Sequence, residues 1–83
     1  GADGPADPVF ERLREARRRI AAETGLPPYV VFHDSTLRDI AAARPRDLGE
    51  LARIQGVGET KLKRYGQAML DALNEEAADG PPA

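Results

Sequence analysis

Apolar residues in the first third of the chain recur every three or four positions, which is the spacing of one helix face. That stripe consists of Val9, Leu13, Ala16 and Ile20. Asp7 and Pro8 have the order of a helix cap and a first helical turn, and Gly25 offers the left-handed conformation that ends helices. The pattern predicts a first helix from Pro8 to about Thr24, with Phe10 at the edge of its buried face.

The next apolar run, residues 26–32 (LPPYVVF), has no helical spacing. Pro27 and Pro28 are incompatible with a regular helix interior. A strand at 30–32 would find no partner strand elsewhere in the sequence. The run therefore predicts either a tight apolar loop or a single helical turn that covers the core.

Two shorter helical patterns follow this run. In the first, Asp34-Ser35-Thr36 reads as a cap, Thr36 and Asp39 have capping-box form, and Pro45 ends the helix. Its inward residues are Leu37, Ile40 and Ala41. In the second, Asp47 and Glu50 provide the cap. The inward residues of this third helix are Leu48, Leu51 and Ile54.

The Gly56-Val57-Gly58 turn joins the third helix to a fourth, which begins at Gly58. Two glycines let the backbone reverse there, and Val57 is expected to fill the core at the turn. Gly66 is expected to separate the fourth helix from a fifth. The inward residues of these two helices are Leu62, Met69 or Leu70, Leu73 and Ala77.

These elements predict an all-α fold, a compact five-helix bundle that contains a helix-hairpin-helix-like Gly-Val-Gly turn. The bundle spans residues 8–78, between linkers at 1–7 and 79–83. A chain of 83 residues forms one domain near the lower size limit for an independent core. The non-Met start and the Pro-, Gly- and Asp-rich ends lead us to expect a piece of a larger protein.

Composition excludes several classes of protein. The sequence has no Cys, which removes disulfides and thiolate metal sites and fits a reducing compartment. Its apolar runs are too short for a transmembrane helix or a signal peptide, so no membrane partner is expected. His33 is the only His, and it is expected to be a loop residue before a helix cap. Three adjacent residues, His33-Asp34-Ser35, cannot converge as a catalytic triad, so the sequence predicts no catalytic residue, metal or cofactor.

The net charge of −2 conceals an uneven distribution. Residues 9–67 contain all 12 Lys and Arg against 8 acids, a net charge of +4, whereas the ends contain 6 acids and no base. The weakly basic body could meet a polyanion. The whole chain lacks the strongly basic character of a dedicated DNA-binding protein.

Six motifs in unbroken order carry a family resemblance. They are the Arg-rich first helix, residues 27–32 (PPYVVF), Asp34 with Thr36-Leu37, residues 43–45 (ARP), residues 50–58 (ELARIQGVG), and Lys61-Leu62 with Tyr65-Gly66. In this combination, over about residues 9–77, the chain resembles the HRDC domain, the "helicase and RNase D C-terminal" module. The PPYVVF segment is most similar to HRDC domains of bacterial RecQ helicases.

The resemblance implies a non-catalytic accessory domain of a RecQ-like ATP-dependent DNA helicase. Such a domain binds single-stranded or partly duplex DNA weakly and helps the helicase core of the same polypeptide to choose its substrate. The resemblance also implies a bacterial cytoplasmic protein, associated with the nucleoid through DNA, and a monomer when the domain is isolated. Two alternatives stay open: a regulatory protein-interaction module with little DNA affinity, and the HRDC module of an RNase D-like exonuclease.

The preferred candidates for nucleic-acid contact are Tyr29 and three arginines of the first helix, Arg14, Arg17 and Arg18. A single-strand site needs cations for the backbone and an aromatic face for a base. Pro28 is expected to hold Tyr29 in an extended geometry that turns its ring outward. The resemblance implies the same role for Tyr29, because the aromatic residue of this loop and basic residues around it contact single-stranded DNA in RecQ-type HRDC domains.

An alternative interpretation makes these residues structural. Tyr29 could be a core residue with its hydroxyl at the surface, and the arginines could pair with Glu11, Glu15 and Asp residues. Phe10, Phe32 and Tyr65 are expected in the core.

A second candidate is the start of the fourth helix, where free N–H groups beside Lys61 and Lys63 could hold a phosphate. Glu59 opposes this, since a carboxylate at a helix start would repel the phosphate. The acidic last helix, with Asp71, Glu75, Glu76 and Asp79, cannot face DNA. It either offers a surface to a basic protein or is a solvated face.

Overall fold

The structure of the protein is a computed structural model that describes residues 7–78, with side chains described as far as Glu75. The helices in chain order are α1 (Pro8–Thr24), α2 (Pro28–Val31), α3 (Asp34–Ala43), α4 (Leu48–Leu51) and α5 (Glu59–Ala78). No strand occurs within residues 7–78, and the all-α prediction with five helices is confirmed. Apart from Asp7, the predicted linkers lie outside the described residues. No helix in the described range is long and apolar enough to cross a membrane.

The first helix has the predicted ends. The Asp7 carboxylate accepts a hydrogen bond from the Val9 N–H at 3.0 Å and so satisfies one of the free donors of the first turn. Gly25 adopts a left-handed conformation with φ 76°, and its N–H donates to the Ala21 carbonyl at 2.8 Å. α1 is the central element of the fold, since α2, α3 and α5 all pack against it.

The core lies where α1, α3 and α5 meet. Its largest fully buried side chains are Leu13, Val31, Phe32, Leu37, Ile40, Leu51 and Met69. Burying each such side chain stabilises the fold by about 1.5–3 kcal/mol. Phe10, Phe32 and Tyr65 are buried as predicted, and the Phe32 and Tyr65 rings meet edge to face with centroids 6.0 Å apart.

Of the two alternatives for residues 26–32, the structure shows the single helical turn. Pro27 is extended (φ −62°, ψ 146°) and Pro28 is the first residue of α2, where the missing N–H costs nothing. Tyr29 is therefore helical, and the extended geometry predicted for it is wrong. Val31 and Phe32 turn into the core, as a covering segment should.

The cap predicted for the following helix is also wrong. α3 begins at Asp34, and His33 occupies the cap position without a side-chain hydrogen bond. Thr36 is inside the helix and is 5% exposed. Packing explains the difference, because Thr36 lies against Gly56 of the turn after α4, which a local capping pattern does not reveal. Leu37, Ile40 and Ala41 are buried as predicted.

α4 is one turn long, and its predicted cap is present. The Asp47 carboxylate accepts from the Glu50 N–H at 2.8 Å, and the Glu50 carboxylate accepts from the Arg46 N–H at 2.8 Å. Leu51 is buried and Ile54 half-buried, but Leu48 is 40% exposed, so the prediction that Leu48 faces inward is wrong. α4 is too short to bury all three positions.

The turn after α4 places Val57 in the core, where it is 7% exposed. Of the two glycines in this turn, Gly56 has positive φ, at 95°, and Gly58 does not. An added Cβ on Gly56 would lie 2.3 Å from the Thr36 Oγ1 atom. Gly56 is thus required both for the reversal of the backbone and for its close approach to α3.

Gly66 does not break the last helix, because α5 runs without interruption from Glu59 to Ala78. The predicted fourth and fifth helices are one element. An added Cβ on Gly66 would lie 2.8 Å from the Leu48 Cδ2 atom, so this glycine gives α4 room against α5. Met69 and Leu70 are both buried. Leu62 and Leu73 pack partly buried at the edge of the core, and the Ala77 side chain lies outside the described residues.

Candidate nucleic-acid interface

A groove between α1 and the start of α2 gathers the candidate arginines. It encloses about 320 Å³. Its lining residues are Glu11, Arg14, Glu15, Arg17, Arg18 and Pro28. Positions 14, 17 and 18 share one face of α1 because they are three and four residues apart. Pro28 lines the groove as the first residue of α2, and Tyr29 follows it in the chain.

Tyr29 is on the surface, with 61% of its area exposed. Its ring centroid lies 6.3 Å from that of His33, and the two planes are tilted by 37°. His33 is exposed as well. An exposed aromatic ring is the feature that stacks an unpaired base, and a second ring beside it enlarges the surface available.

Arg17 connects α1 to the segment between α2 and α3. Its Nη1 atom donates to the Phe32 carbonyl at 2.9 Å and forms an ion pair with the Asp34 carboxylate at 2.7 Å. Its side chain is 11% exposed, and its buried Nε atom has no hydrogen-bond partner. The guanidinium therefore joins α1 to the segment between α2 and α3, and it has little surface left for a phosphate.

Arg14 and Arg18, unlike Arg17, have largely exposed side chains. Arg14 pairs with Glu11 at 3.0 Å, and Arg18 pairs with Glu15, each across one turn of α1. The side chains of Arg14 and Arg18 are 50% and 66% exposed. Exposed ion pairs of this kind contribute about 0–1 kcal/mol, so a phosphate can replace the carboxylate at small cost.

These contacts shift the pKa of two carboxyl groups. The hydrogen bond from Arg18 lowers the pKa of Glu15. The hydrogen bond from Arg17 lowers the pKa of Asp34, and the charges of Arg17, Arg14 and Arg38 lower it further. A carboxylate that is bound by a cation loses that partner on protonation, which favours the ionised form. Asp34 therefore lies within the electrostatic reach of three arginines from two helices.

The structure does not bring Lys61 and Lys63 into this groove. They are two residues apart on α5 and so point away from each other. Lys61 is half-buried with its Nζ atom 5.7 Å from the Phe32 ring centroid, whereas Lys63 is exposed and pairs with Glu59 at 3.5 Å. Glu59 thus adds its own negative charge at the helix start and also pairs with Lys63.

Sequence reasoning did not select two residues that the structure places beside candidate residues: His33, beside Tyr29, and Arg38, beside Phe10 and Arg14. His33 was assigned to a loop, and only folding shows its ring beside Tyr29. Arg38 belongs to α3, and its Cζ atom lies 4.6 Å from the centroid of the Phe10 ring on α1. A usable signal was its position four residues after Asp34, which places both on one face of α3.

A second groove, between α1 and α5, has the opposite character. It encloses about 220 Å³, with small apolar residues at its base and carboxylates around it. The lining residues are Ala16, Arg19, Ile20, Glu23, Ala68, Asp71 and Glu75. Arg19 is paired with Glu75 at 3.5 Å, so the acids remain in excess. Glu76 and Asp79 of the predicted acidic surface have no described side chains.

The contacts of the only His and of the acidic side chains bear on the chemistry open to the described residues. His33 contacts the Tyr29 ring rather than a nucleophile. Among residues 7–75, no three His, Asp or Glu side chains gather in a way that could hold a metal ion. The arrangement can bind an anion and stack a ring.

Comparison with known proteins points to one family. The family model described as "HRDC domain" matches residues 6–73. Over 71 residues the chain is 46% identical to the ATP-dependent DNA helicase RecQ of Bacillus subtilis (strain 168), covering 86% of this chain and 12% of that protein. Over 62 residues it is 42% identical to the ATP-dependent DNA helicase UvrD2 of Mycobacterium bovis, covering 75% and 9% respectively.

A solved structure shows the same fold. The chain superimposes on D. radiodurans RecQ HRDC domain 3 with a TM-score of 0.82 and 45% sequence identity. The match covers 88% of this chain and 95% of that one. The chain therefore spans nearly all of a solved HRDC domain but only about a tenth of the helicases it resembles.

Proposed function

The chain belongs to the HRDC domain family, and on that premise we propose that it is a non-catalytic accessory domain of a RecQ-like ATP-dependent DNA helicase. In this proposal the domain binds single-stranded or partly duplex DNA weakly and tunes the substrate choice of the helicase core in the same polypeptide. The isolated domain is a monomer, and the parent protein works in the bacterial cytoplasm on nucleoid DNA. The relatives reported above are named as DNA helicases, which favours a helicase over an RNase D-like exonuclease as the parent.

The observation that carries the proposal is the exposed Tyr29 ring, which directly follows Pro28 of the α1–α2 groove in the chain. A tyrosine that is 61% exposed gains little stability from its position, yet it presents a flat face to solvent. Arg14 and Arg18 line the adjoining groove and can exchange their carboxylate partners for phosphates. A base on Tyr29 and phosphates along α1 would satisfy both needs of an unpaired strand.

Weak binding follows from the size of this surface. Base–aromatic stacking contributes about 1–3 kcal/mol per base, and two exposed arginines replace existing ion pairs rather than adding new ones. Arg17 contributes through structure, since it holds the segment between α2 and α3 in place. Lys61 and Lys63 are weaker candidates, since each already has a neighbour on α5 or in the core.

Binding of fluorescein-labelled oligo(dT) to the isolated domain, followed by fluorescence anisotropy at low salt, tests the proposal. We expect Tyr29→Ala to weaken binding at least about five-fold, because a stacked base is lost. Tyr29→Phe retains the ring and should bind nearly as well as the wild type. Thermal unfolding should be almost unchanged in both variants, since Tyr29 is exposed.

Two outcomes would overturn this function. One is the absence of binding by the wild-type domain at low salt. The other is binding that is equal in Tyr29→Ala and wild type, which would remove Tyr29 from the site. An NMR titration then locates any remaining contact, since shifts confined to residues 56–63 would move the site to the turn before α5.

A second candidate function rests on the acidic groove between α1 and α5. Carboxylates around an apolar base suit a basic segment of another protein surface, such as the helicase core. In this alternative the isolated domain binds no DNA, and its removal from the parent enzyme changes helicase activity or substrate choice. Replacing Asp71 and Glu75 by Lys in the parent should reproduce the effect of the deletion. If the deletion leaves activity on every tested DNA structure unchanged, both functions fail.

A further inference from the structure

Phe10 brings together arginines from two helices. It lies on α1 and is 8% exposed. The Cζ atom of Arg38, from α3, lies 4.6 Å from its ring centroid, and that of Arg14, one turn further along α1, lies at 5.9 Å. Both distances are within the range of cation–π attraction. The ring therefore holds two positive charges close together at the junction of α1 and α3.

Arg38 differs from the arginines of the α1–α2 groove in its hydrogen-bonding partners. Arg14, Arg17 and Arg18 all form ion pairs with carboxylates. Arg38 is exposed, and within the described residues no carboxylate forms an ion pair with it. A guanidinium held by an aromatic face keeps its N–H donors available while its motion is restricted. That combination lowers the entropy cost of binding a phosphate.

The position of Arg38 continues the Tyr29 surface. His33, whose ring neighbours Tyr29, directly precedes α3, and Arg38 lies one helical turn after Asp34, about 6 Å along the axis. Arg14 and Arg38 both act on the Asp34 carboxyl group, whose pKa they help to lower. Asp34 is already paired with Arg17, so its charge is largely compensated. Asp34 therefore connects the two places, since it follows His33 in the chain and lies within reach of the charges of Arg14 and Arg38.

We propose that Arg38, positioned by the Phe10 ring, binds a backbone phosphate of single-stranded DNA and extends the binding site from Tyr29 onto α3. This inference rests on the proposed DNA-binding function and specifies it further. It predicts that the strand leaves the Tyr29–His33 pair toward the junction of α1 and α3, where Arg14 provides a second cation.

The test compares Arg38→Gln with a matched change elsewhere. Arg46→Gln removes the same charge from an exposed arginine that precedes α4 and pairs with Glu50. Both variants and the wild type are titrated into fluorescein-labelled oligo(dT) of about 12 nucleotides, a length that spans one small single-strand site. The dissociation constant is measured at several salt concentrations from about 30 to 200 mM, a range in which phosphate contacts are distinguished by their salt dependence.

We expect Arg38→Gln to weaken binding at low salt roughly three- to ten-fold and to reduce the magnitude of the salt slope by about 0.7, the contribution of one phosphate on a single strand. Arg46→Gln should change binding less than about two-fold, because Arg46 lines other grooves, beside Leu73 and Leu48, and salt screens an exposed charge that makes no direct phosphate contact. Arg38→Lys keeps the charge, so it should retain the salt slope while it loses part of the affinity. Circular dichroism verifies that each variant is folded.

The outcomes separate this inference from the function it depends on. If Tyr29→Ala weakens binding but Arg38→Gln behaves like Arg46→Gln, the DNA-binding function stands and the role of Arg38 is wrong. If Arg38→Lys loses the salt slope as Arg38→Gln does, the contact is not with a phosphate and the inference is wrong. If the wild-type domain does not bind oligo(dT), both are wrong.

Discussion

Among single side chains, the arginines of α1 show how little residue type alone decides. Arg17 and Arg18 are neighbours in sequence, yet Arg17 is almost buried against the Phe32 carbonyl and Asp34, whereas Arg18 is 66% exposed. A shift of one position turns a side chain by about 100° around the helix, from the α2–α3 segment toward solvent. The two arginines therefore have different tasks, one in the fold and one available for an anion.

The pairing of Arg17 with Asp34 predicts a dependence of stability on pH. Because Arg17 lowers the pKa of Asp34 in the folded state, this carboxylate stabilises the fold above its unfolded-state pKa. That contribution disappears as the pH falls through the lower folded-state pKa. We expect Asp34→Asn to be less stable than the wild type at neutral pH. The difference should shrink as the pH falls from about 5 toward 2.

Urea unfolding over this pH range measures the difference directly. Asp34→Asn should still lose stability in acid, because the Arg18 hydrogen bond lowers the pKa of Glu15, and bonds from Arg46 lower that of Glu50. Arg18→Gln is the control, since it removes an exposed pair on α1 and leaves the Asp34 contribution intact. A constant difference between wild type and Asp34→Asn at every pH would contradict the assignment.

Among the helices, α5 departs most from local rules, because glycine in a helix interior costs about 1 kcal/mol relative to alanine. Gly66 is nevertheless helical and buried, and a Cβ there would lie 2.8 Å from the Leu48 Cδ2 atom, at the end of a side chain that would have to move. Glycine does disfavour a helix locally, which is why the sequence predicted a break, but the packing of the folded chain keeps α5 continuous. Leu48 supplies the atom nearest to a Cβ added at Gly66, although Leu48 itself is 40% exposed.

A double-mutant cycle between Gly66 and Leu48 tests this explanation. In the wild type, Gly66→Ala gains helix propensity but places its Cβ 2.8 Å from the Leu48 Cδ2 atom. In the Leu48→Ala background this nearest contact is absent, and the Leu62 Cδ1 atom at 3.2 Å is the closest that remains. We expect Gly66→Ala to be more favourable there by at least about 0.5 kcal/mol in the free energy of unfolding, measured by urea denaturation. Additive effects of the two substitutions would show that Leu48 is not the reason for the glycine.

The turn before α5 is expected to tolerate change at one glycine and not at the other. Gly56→Ala should lower the free energy of unfolding by more than about 2 kcal/mol, because φ is +95° and the new Cβ would lie 2.3 Å from the Thr36 Oγ1 atom. Gly58→Ser is the matched control. Gly58 has open space around it and precedes α5, where serine caps well, so we expect a change within about 0.5 kcal/mol.

Thermal or urea unfolding measures the stability of the two variants. If Gly56→Ala is as stable as Gly58→Ser, the turn can relax away from α3, and the close approach of Gly56 to Thr36 is not a requirement of the fold.

Across the whole molecule, the two faces of α1 separate positive from negative charge. On one side, Arg14 and Arg18 line the groove with α2 and Arg38 lies over Phe10, and on the other, Asp71 and Glu75 line the groove with α5. The net charge of −2 is therefore the sum of unlike surfaces rather than a property of either. In the proposed function, such a distribution would orient the domain relative to DNA with the acidic groove away from the bound strand.

This separation predicts the salt dependence of binding. If Arg14, Arg18 and Arg38 together neutralise about three phosphates, log K plotted against log salt should have a slope near −2 for a single strand. Fluorescence anisotropy with oligo(dT) at four or five salt concentrations measures that slope. A slope near zero would mean that the arginines take no part in binding. A slope beyond about −4 would require cations from outside this surface.

The sequence by itself determined the all-α class, both ends of α1, the buried aromatic residues and the family resemblance. Caps, helical periodicity and ordered short motifs are local features, and the chain carries them whatever it packs against. Sequence reasoning also selected Tyr29, whose exposure the structure shows and whose binding role stays a prediction.

Only the tertiary structure decided which glycine turns the chain, that Gly66 continues a helix, and which guanidinium groups are engaged by partners. Thr36 against Gly56 and Arg38 over Phe10 are contacts between residues 20 and 28 positions apart in the chain. No spacing rule reaches that far, because such contacts depend on how the helices pack. Whether an arginine side chain is free to bind an anion likewise depends on the groups around it, and those groups come together only when the chain folds.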